Sequence, residues 1–289
     1  MKIAAGQFAA SERWEINART CGDLIEDAAS GGAGVLVLPE GVLARFTDDL
    51  ARIRAAAQPL DGPFVQAVAE ATKDKDTTVV VGIHERLDAD RVFNTLVVLR
   101  DGQLVTTYRK LHLYDAFDAK ESANVAPGNA VPELLDCQGF SLGLMTCYDI
   151  RFPELARLHA LAGADALLVP AAWVKGPGKE RHWEVMLTAR ALENTCYVVA
   201  AGECGQRNVG SSMVLDPLGV AVSRLAERPG LCWADLDKDR LAEARRQLPL
   251  LDNRRFSVDP QPHDRSAISF DGSHRSTPVA TSTKREDSR

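Results

Sequence analysis

From its first residues the chain alternates short runs that are apolar on both faces with helical stretches: KIAAGQF, a helix expected near 14–30, GVLVLPE, then helices expected through about 76. Runs such as GVLVLPE and ADALLVPAAW keep no polar face for water, so each strand needs cover on two sides. An α/β architecture with helices outside its sheets meets that need. TTVVVGIHE follows, and VFNTLVVL and QLVTTYRK flank Asp101-Gly102, a pair that supplies the positive φ angles of a tight type I′ hairpin turn. A second series reads ELLDCQGFSLGLMTC as a hairpin, a helix from about Pro153, ADALLVPAAW, a helix near 179–194, CYVVAAGE, SSMVLDPLGVAVSRL and GLCWADL. Two βα-rich halves result, with antiparallel pieces between them and no internal sequence repeat. Residues 111–130 lack periodicity and carry Pro127 and Gly128. A loop that long inside a compact domain is expected to be functional.

Hydrophobic residues make up 45% of the 289 and charged residues 26%, enough for a packed core. The net charge of −6, without a basic stripe, argues against nucleic acid or an anionic membrane as partner and points to small molecules. The N-terminus lacks the layout of a signal peptide, and no run approaches 18 apolar residues, so a cytoplasmic protein is expected. Cysteines 21, 137, 147, 196, 204 and 232 are scattered without a C-x-x-C pair, which fits reduced thiols. From Ser257 the composition changes: the last 33 residues hold 10 Ser or Thr and only six apolar residues. Such a segment buries too little to offset its ordering entropy, so a folded domain over 1–256 and a disordered or loosely wrapped tail over 257–289 are expected.

Three strand ends each deliver a chemically active group: Glu40 closes VLVLPE, Lys110 closes TTYRK, and Cys147 closes LGLMTC. Cys147 falls at a strand-to-helix turn, with Pro153 just inside the helix, where free backbone N–H groups favour an anion. A thiolate there is expected to have its pKa lowered to roughly 3.5–7.5, and the same amides suit the oxyanion of a tetrahedral intermediate. Taken singly, each residue also has a plain reading. A strand cysteine packs as a small hydrophobe, a carboxylate after a strand caps a helix, and Arg109-Lys110 is a solvated edge.

Together, VLPE around Glu40, YRKLHLYD around Lys110 and TCYDIRFPE around Cys147 resemble the nitrilase (carbon-nitrogen hydrolase) superfamily over roughly residues 1–256. CYDIRFPELA, HWEVMLTARALEN and CYVVAA look most like its Nit amidase branch. The resemblance implies a four-layer α-β-β-α sandwich, with two sheets face to face, that associates as a homodimer or larger assembly. It implies Cys147 as nucleophile, Glu40 as general base and Lys110, with the Tyr148 N–H, as stabiliser of the intermediate. Glu121, in DAKESANVAPG, matches the family's second glutamate and is expected to position the lysine and substrate. Tyr148 and Trp173 are expected to line the pocket. Arg151 either clamps a substrate carboxylate or pairs with Asp149 or Glu154 to hold the turn, with the structural role favoured.

The family motif needs no histidine, so His112, His159 and His182 are expected outside the chemistry, with His182 capping or packing. Neither metal nor cofactor is implied. The cysteine motif resembles the branch acting on deaminated glutathione and differs from the CWEN type of nitrile-cleaving members. Ser211 and Trp173 depart from the residues many relatives carry, and both are expected at the pocket border. An ω-amidase acting on 2-oxoacid amides, an N-carbamoyl amine hydrolase and a catalytically silent scaffold remain as alternatives.

Overall fold

The computed structural model describes residues 1–46 and 49–258. In chain order its elements are β1 (Lys2–Gln7), α1 (Trp14–Ser30), β2 (Val35–Val37), α2 (Leu50–Ala56), α3 (Pro63–Ala71), β3 (Thr78–Arg86), β4 (Val92–Arg100), β5 (Gln103–Arg109) and β6 (Val125–Ala126). Then come β7 (Leu135–Cys137), β8 (Phe140–Leu144), α4 (Pro153–Leu161), β9 (Ala166–Ala171), α5 (Lys179–Asn194), β10 (Tyr197–Gly202), β11 (Met213–Leu215), β12 (Ala221–Arg224), β13 (Gly230–Asp235) and α6 (Lys238–Gln247). One sheet has the order β13-β1-β2-β3-β4-β5, with β6 beside β4, and the other has the order β12-β11-β10-β9-β8-β7. Both are mixed, because hairpins such as β3-β4-β5 flank parallel strands. The β4-β5 turn is built as its sequence requires, with φ of 46° at Asp101 and 72° at Gly102.

Strand parity shows why the layers stack. Ile3, Ala5, Val35, Val37, Val80 and Val98 join Leu142, Leu144, Leu168 and Val198 of the second sheet in one apolar cluster. Their alternates Ala4, Leu36, Val79, Val81, Val97 and Leu99 turn the other way, onto Cys21 and Ile25 of α1 and Phe64 and Val68 of α3. The second sheet is covered by Leu155 and Ala156 of α4 and Trp183, Leu187 and Ala191 of α5. The architecture is therefore the expected α-β-β-α sandwich, and burying each large side chain at these interfaces contributes about 1.5–3 kcal/mol.

Sequence reading missed α6, whose buried residues are only Leu241 and Ala244. Asp237 caps it by accepting from the Asp239 N–H, and Arg240 reaches Asp216 at 2.7 Å. The polar tail expected from 257 lies, from residue 259 onward, outside the described residues.

β2, β3 and β5 point the same way, and Glu40 and Lys110 follow the carboxyl ends of β2 and β5. Cys147 and Ala172 follow the carboxyl ends of β8 and β9, which are parallel to each other. Open α/β sheets place their ligand crevices beyond such ends.

Candidate active site

Glu40 is positioned by a close crossing. A Cβ on Gly82 of β3 would lie 2.6 Å from the Glu40 Cα, so only glycine lets the chain leaving β2 pass. The crossing is fastened by the Gly82 N–H on the Pro39 carbonyl at 3.0 Å. Glu40 is buried, at 5% exposure. Its Oε1 accepts from Lys110 Nζ at 3.0 Å and Asn94 Nδ2 at 2.6 Å, and its Oε2 accepts from the Ala172 N–H at 2.8 Å.

Lys110, 2% exposed, follows β5 and is held beside β4 by its N–H on the Asn94 carbonyl at 2.8 Å. Its ammonium also donates to both oxygens of Glu121, at 3.2 and 2.9 Å. Glu121 is fixed in turn by the Tyr114 N–H at 2.6 Å and Asn94 Nδ2 at 3.0 Å. The aperiodic 111–130 segment thus folds back to bring a second carboxylate to the lysine. Burial alone would drive the Lys110 ammonium toward neutrality, but Glu121 and Glu40 outweigh it and hold the pKa well above the ordinary lysine value. Burial likewise pushes Glu40 up, yet Lys110, Arg45 and the Asn94 hydrogen bond leave it well below the usual carboxylate range. The cluster is one ammonium between two carboxylates.

Cys147 has φ of 45°, the left-handed region that non-glycine residues seldom occupy. It opens a 3₁₀ turn, Cys147–Arg151, that leads into α4 through Pro153. Asp149, completely buried, anchors the turn: its carboxylate accepts from the Thr146 N–H at 2.8 Å, the Tyr108 hydroxyl at 2.7 Å and the His112 N–H at 3.1 Å. His112 Nδ1 also lies 2.7 Å from Asp149 Oδ1, and its ring stacks on Phe152 at 3.8 Å.

These contacts correct the reading of Arg151. It pairs with neither Asp149 nor Glu154, because Asp149 is already occupied by Thr146, Tyr108 and His112. Its guanidinium instead lies 4.7 Å over the Trp173 ring, with Nη2 3.5 Å from His182 Nδ1. His182 therefore packs on Arg151, and buried His159 turns Nε2 to the Leu144 carbonyl at 3.0 Å.

The expected low thiol pKa is also corrected. Cys147 is only 8% exposed. Burial, the negative charge of Glu40 and the hydrogen bond from the thiol to Glu40 push it well above the ordinary thiol value, and Lys110 opposes them without winning. Burial and the nearby carboxylate thus favour the protonated thiol. A 240 nm thiolate difference titration between the wild-type protein and Cys147→Ser is expected to show no step between about pH 4 and 8, where activated thiols titrate. A step in that window would contradict the neutral pair.

Beside Cys147 lies a cavity of about 20 Å³, walled by Tyr114, Tyr148, Ala172, Trp173, Val174 and Lys179. That volume admits about one water. Tyr148 and Trp173 both line this cavity. Trp173 donates from Nε1 to the Lys179 carbonyl at 2.8 Å. Ser211 is not part of this wall; its carbonyl accepts from Trp183 Nε1 at 2.9 Å. Sequence reading missed Lys179, which the Gly176-Pro177-Gly178 loop delivers to the cavity at the start of α5, with φ of 69° at Gly178. Its Nζ donates to the Tyr114 hydroxyl at 2.6 Å. Among the described residues no group of three or more His, Cys, Asp or Glu side chains is placed to hold a metal ion.

The carbon-nitrogen hydrolase family profile matches residues 2–246. A deaminated glutathione amidase of Escherichia coli O157:H7 is 47% identical over 257 residues, covering 89% of this chain and 98% of that protein. The C. elegans NitFhit structure superposes with a TM-score of 0.82 at 30% identity, over 89% of this chain and 66% of that one. A glutamate-to-glutamine mutant of the amidase from Nesterenkonia sp. AN1, showing covalent addition of the acetamide moiety of fluoroacetamide at its active site cysteine, superposes with a TM-score of 0.72 at 25% identity, over 88% of this chain and 94% of that one. Matched along nearly all of its described length, the chain belongs to the carbon-nitrogen hydrolase family and is an amidase of the nitrilase superfamily.

Proposed function

We propose that this amidase hydrolyses deaminated glutathione, releasing 2-oxoglutarate and an amine, with Cys147 as nucleophile, Glu40 as acid-base, Lys110 as electrostatic stabiliser and Glu121 as the group that positions the lysine. The observation that carries this reading is the buried Cys147 beside a buried ion-pair cluster in which Lys110 joins Glu40 and Glu121. The similarity to the E. coli O157:H7 protein supports the substrate. The cysteine adduct of the Nesterenkonia amidase supports the nucleophile.

In the first half-reaction Cys147 sulfur bonds to the amide carbonyl carbon while its proton passes to Glu40. The carbonyl oxygen gains a negative charge that faces Lys110 and the Tyr148 N–H. Glu40 returns the proton to the leaving nitrogen, the C–N bond breaks, and a thioester remains. Water then attacks the thioester carbonyl and gives its proton to Glu40. The acid departs as the C–S bond breaks, and Glu40 reprotonates the sulfur. A neutral thiol at rest suits this sequence, because one carboxylate carries the same proton out and back. Tyr148 and Trp173 wall the acyl group, and Arg151 lies 4.7 Å over the Trp173 ring.

Mass spectrometry is expected to show 2-oxoglutarate released from deaminated glutathione, and an acyl mass shift on the protein that Cys147→Ala abolishes. Turnover of other amides without 2-oxoglutarate release would overturn the substrate. A mass shift that survives in Cys147→Ala would overturn the nucleophile.

We also infer a cytoplasmic homodimer or larger assembly. The six cysteines are all unpaired. Val185 and Leu192 of α5 and Val220 and Val222 are exposed apolar side chains that a second copy would cover, and Leu192 Cβ lies 3.5 Å from the Cβ position of Gly219. A monomer by light scattering would count against the assembly. No helix among the described residues is long and apolar enough to cross a membrane.

A further inference from the structure

The side-chain amide of Asn94 closes a ring of hydrogen bonds with the charged residues of the proposed site. Its Nδ2 donates to Glu40 Oε1 at 2.6 Å and to Glu121 Oε1 at 3.0 Å, and Lys110 Nζ donates to the same oxygens at 3.0 and 3.2 Å. Donor and acceptor alternate around the ring, so each oxygen is held from two sides. The main chain repeats the link, since the Asn94 carbonyl accepts from the Lys110 N–H at 2.8 Å. β4 explains how one residue reaches all three. It lies between β3, which the chain carrying Glu40 crosses, and β5, which leads to Lys110, and β6 joins it just after the turn Glu121–Ala123. Asn94 is 2% exposed, and its Oδ1 is buried without a hydrogen-bond partner among the described residues. Turning the amide over would aim that oxygen at two carboxylates, so the ring sets its orientation. A side chain kept only to fill the sheet would not leave a buried acceptor unmatched.

We infer that Asn94 is a positioning residue of the amidase site, spacing Glu40 and Glu121 about Lys110 so that the ammonium keeps one N–H for the substrate oxygen. The inference rests on the proposed roles of Glu40 and Lys110 and deepens them. An ammonium has three donors, and here one serves Glu40 and one serves Glu121, which leaves the third for a carbonyl oxygen. Without the amide, the Oε1 atoms of both carboxylates would draw on the ammonium alone, and the N–H kept for substrate would be drawn off with them. The amide does this without adding charge, so the cluster stays at two carboxylates to one ammonium. Asn94 takes no proton in the reaction and acts through Glu40, Glu121 and Lys110.

Asn94→Asp tests this, because it keeps the shape and exchanges the amide for a carboxyl. Ionised, the new group puts a third carboxylate on one ammonium; protonated, it again donates a hydrogen bond into the ring. Rates are measured on whichever of deaminated glutathione, glutaramate and propionamide is turned over fastest. In Asn94→Asp kcat near neutral pH is expected to fall about 10- to 100-fold with KM little changed, the pattern of a misplaced reacting group. The ratio of variant to wild-type kcat is then expected to climb about tenfold between about pH 8 and pH 5, as the crowded carboxyls take up a proton. The titratable groups facing position 94 are Glu40, Lys110, Glu121, Cys147 through Glu40, and His84 directly opposite in β3; Glu85 and Arg109 alternate to the other face. Burial and the charge of Arg45 hold His84 at about 4, and Lys110 and Cys147 titrate well above their ordinary values, so the step belongs to the carboxyl cluster as a whole. Asn94→Leu adds no charge and stands in if the acidic variant does not fold: its loss is expected in kcat and equal at every pH. A flat ratio in Asn94→Asp, an unchanged kcat in Asn94→Leu, or losses carried by KM would overturn the inference and leave Asn94 as a packing residue. A Glu40→Gln variant with wild-type activity would instead overturn the acid-base reading on which it rests.

Discussion

Glu40→Gln is expected to lower kcat by about 10²- to 10⁴-fold, the range for losing a positioned acid-base group. Glutamine keeps the shape of the side chain but cannot take the thiol proton. It also presents an NH2 group where three donors now converge on two carboxylate oxygens, from Lys110, Asn94 and Ala172. The resulting mismatch is expected to cost about 1–3 kcal/mol of stability. Lys110 keeps Glu121 at 2.9 Å, so the ammonium is not stranded and the fold survives. The wild-type acid limb should lie below the ordinary carboxylate range, because Glu40 stays ionised there. Initial rates of product release across pH check both points. A loss smaller than tenfold would remove Glu40 from the chemistry.

Lys110→Met is the more damaging change for the fold. It leaves buried Glu40 and half-buried Glu121 together, sharing one Asn94 amide, with the ammonium that joined them gone. Removing one member of a buried charge cluster costs about 3–5 kcal/mol. The pH dependence has a definite sign. In the wild type Glu40 has a folded pKa below its unfolded value, so it contributes stability above the unfolded pKa and loses it as pH falls through the folded one. Without Lys110 the burial of Glu40 prevails and its folded pKa rises, so protonation relieves the variant. Urea unfolding is expected to show the full deficit near pH 7 and a smaller one near pH 5. A deficit that widens on acidification would refute this account.

The strand ends were legible because local pattern determines them. Apolar runs that stop at Glu40, Lys110 and Cys147 mark where a sheet meets a crevice, and Asp101-Gly102 marks its hairpin directly. The sense of the Cys147 shift was not legible, since it depends on burial and on a carboxylate contributed by the other sheet. For Arg151 the sequence offers a substrate carboxylate or its neighbours Asp149 and Glu154, whereas the Asp149 oxygens accept from Thr146, Tyr108 and His112. Lys179 looked like an ordinary residue after a Gly-Pro-Gly turn. Only the tertiary path of that turn, beside Trp173 and Tyr114, turns it into a cavity wall. α6 offered little apolar periodicity, with two buried side chains in ten residues, and is held largely by polar contacts.

The two sheets divide the proposed active site between them. Glu40, Asn94 and Lys110 are carried by the sheet containing β2, β4 and β5, and Cys147 and the Ala172 N–H by the sheet containing β8 and β9. Turnover is therefore a gauge of how the sheets are seated on one another. A core substitution that slid one against the other by a fraction of an ångström would silence the enzyme long before it melted the protein. Residual activity would then rank core variants by alignment, a property that a melting temperature does not register.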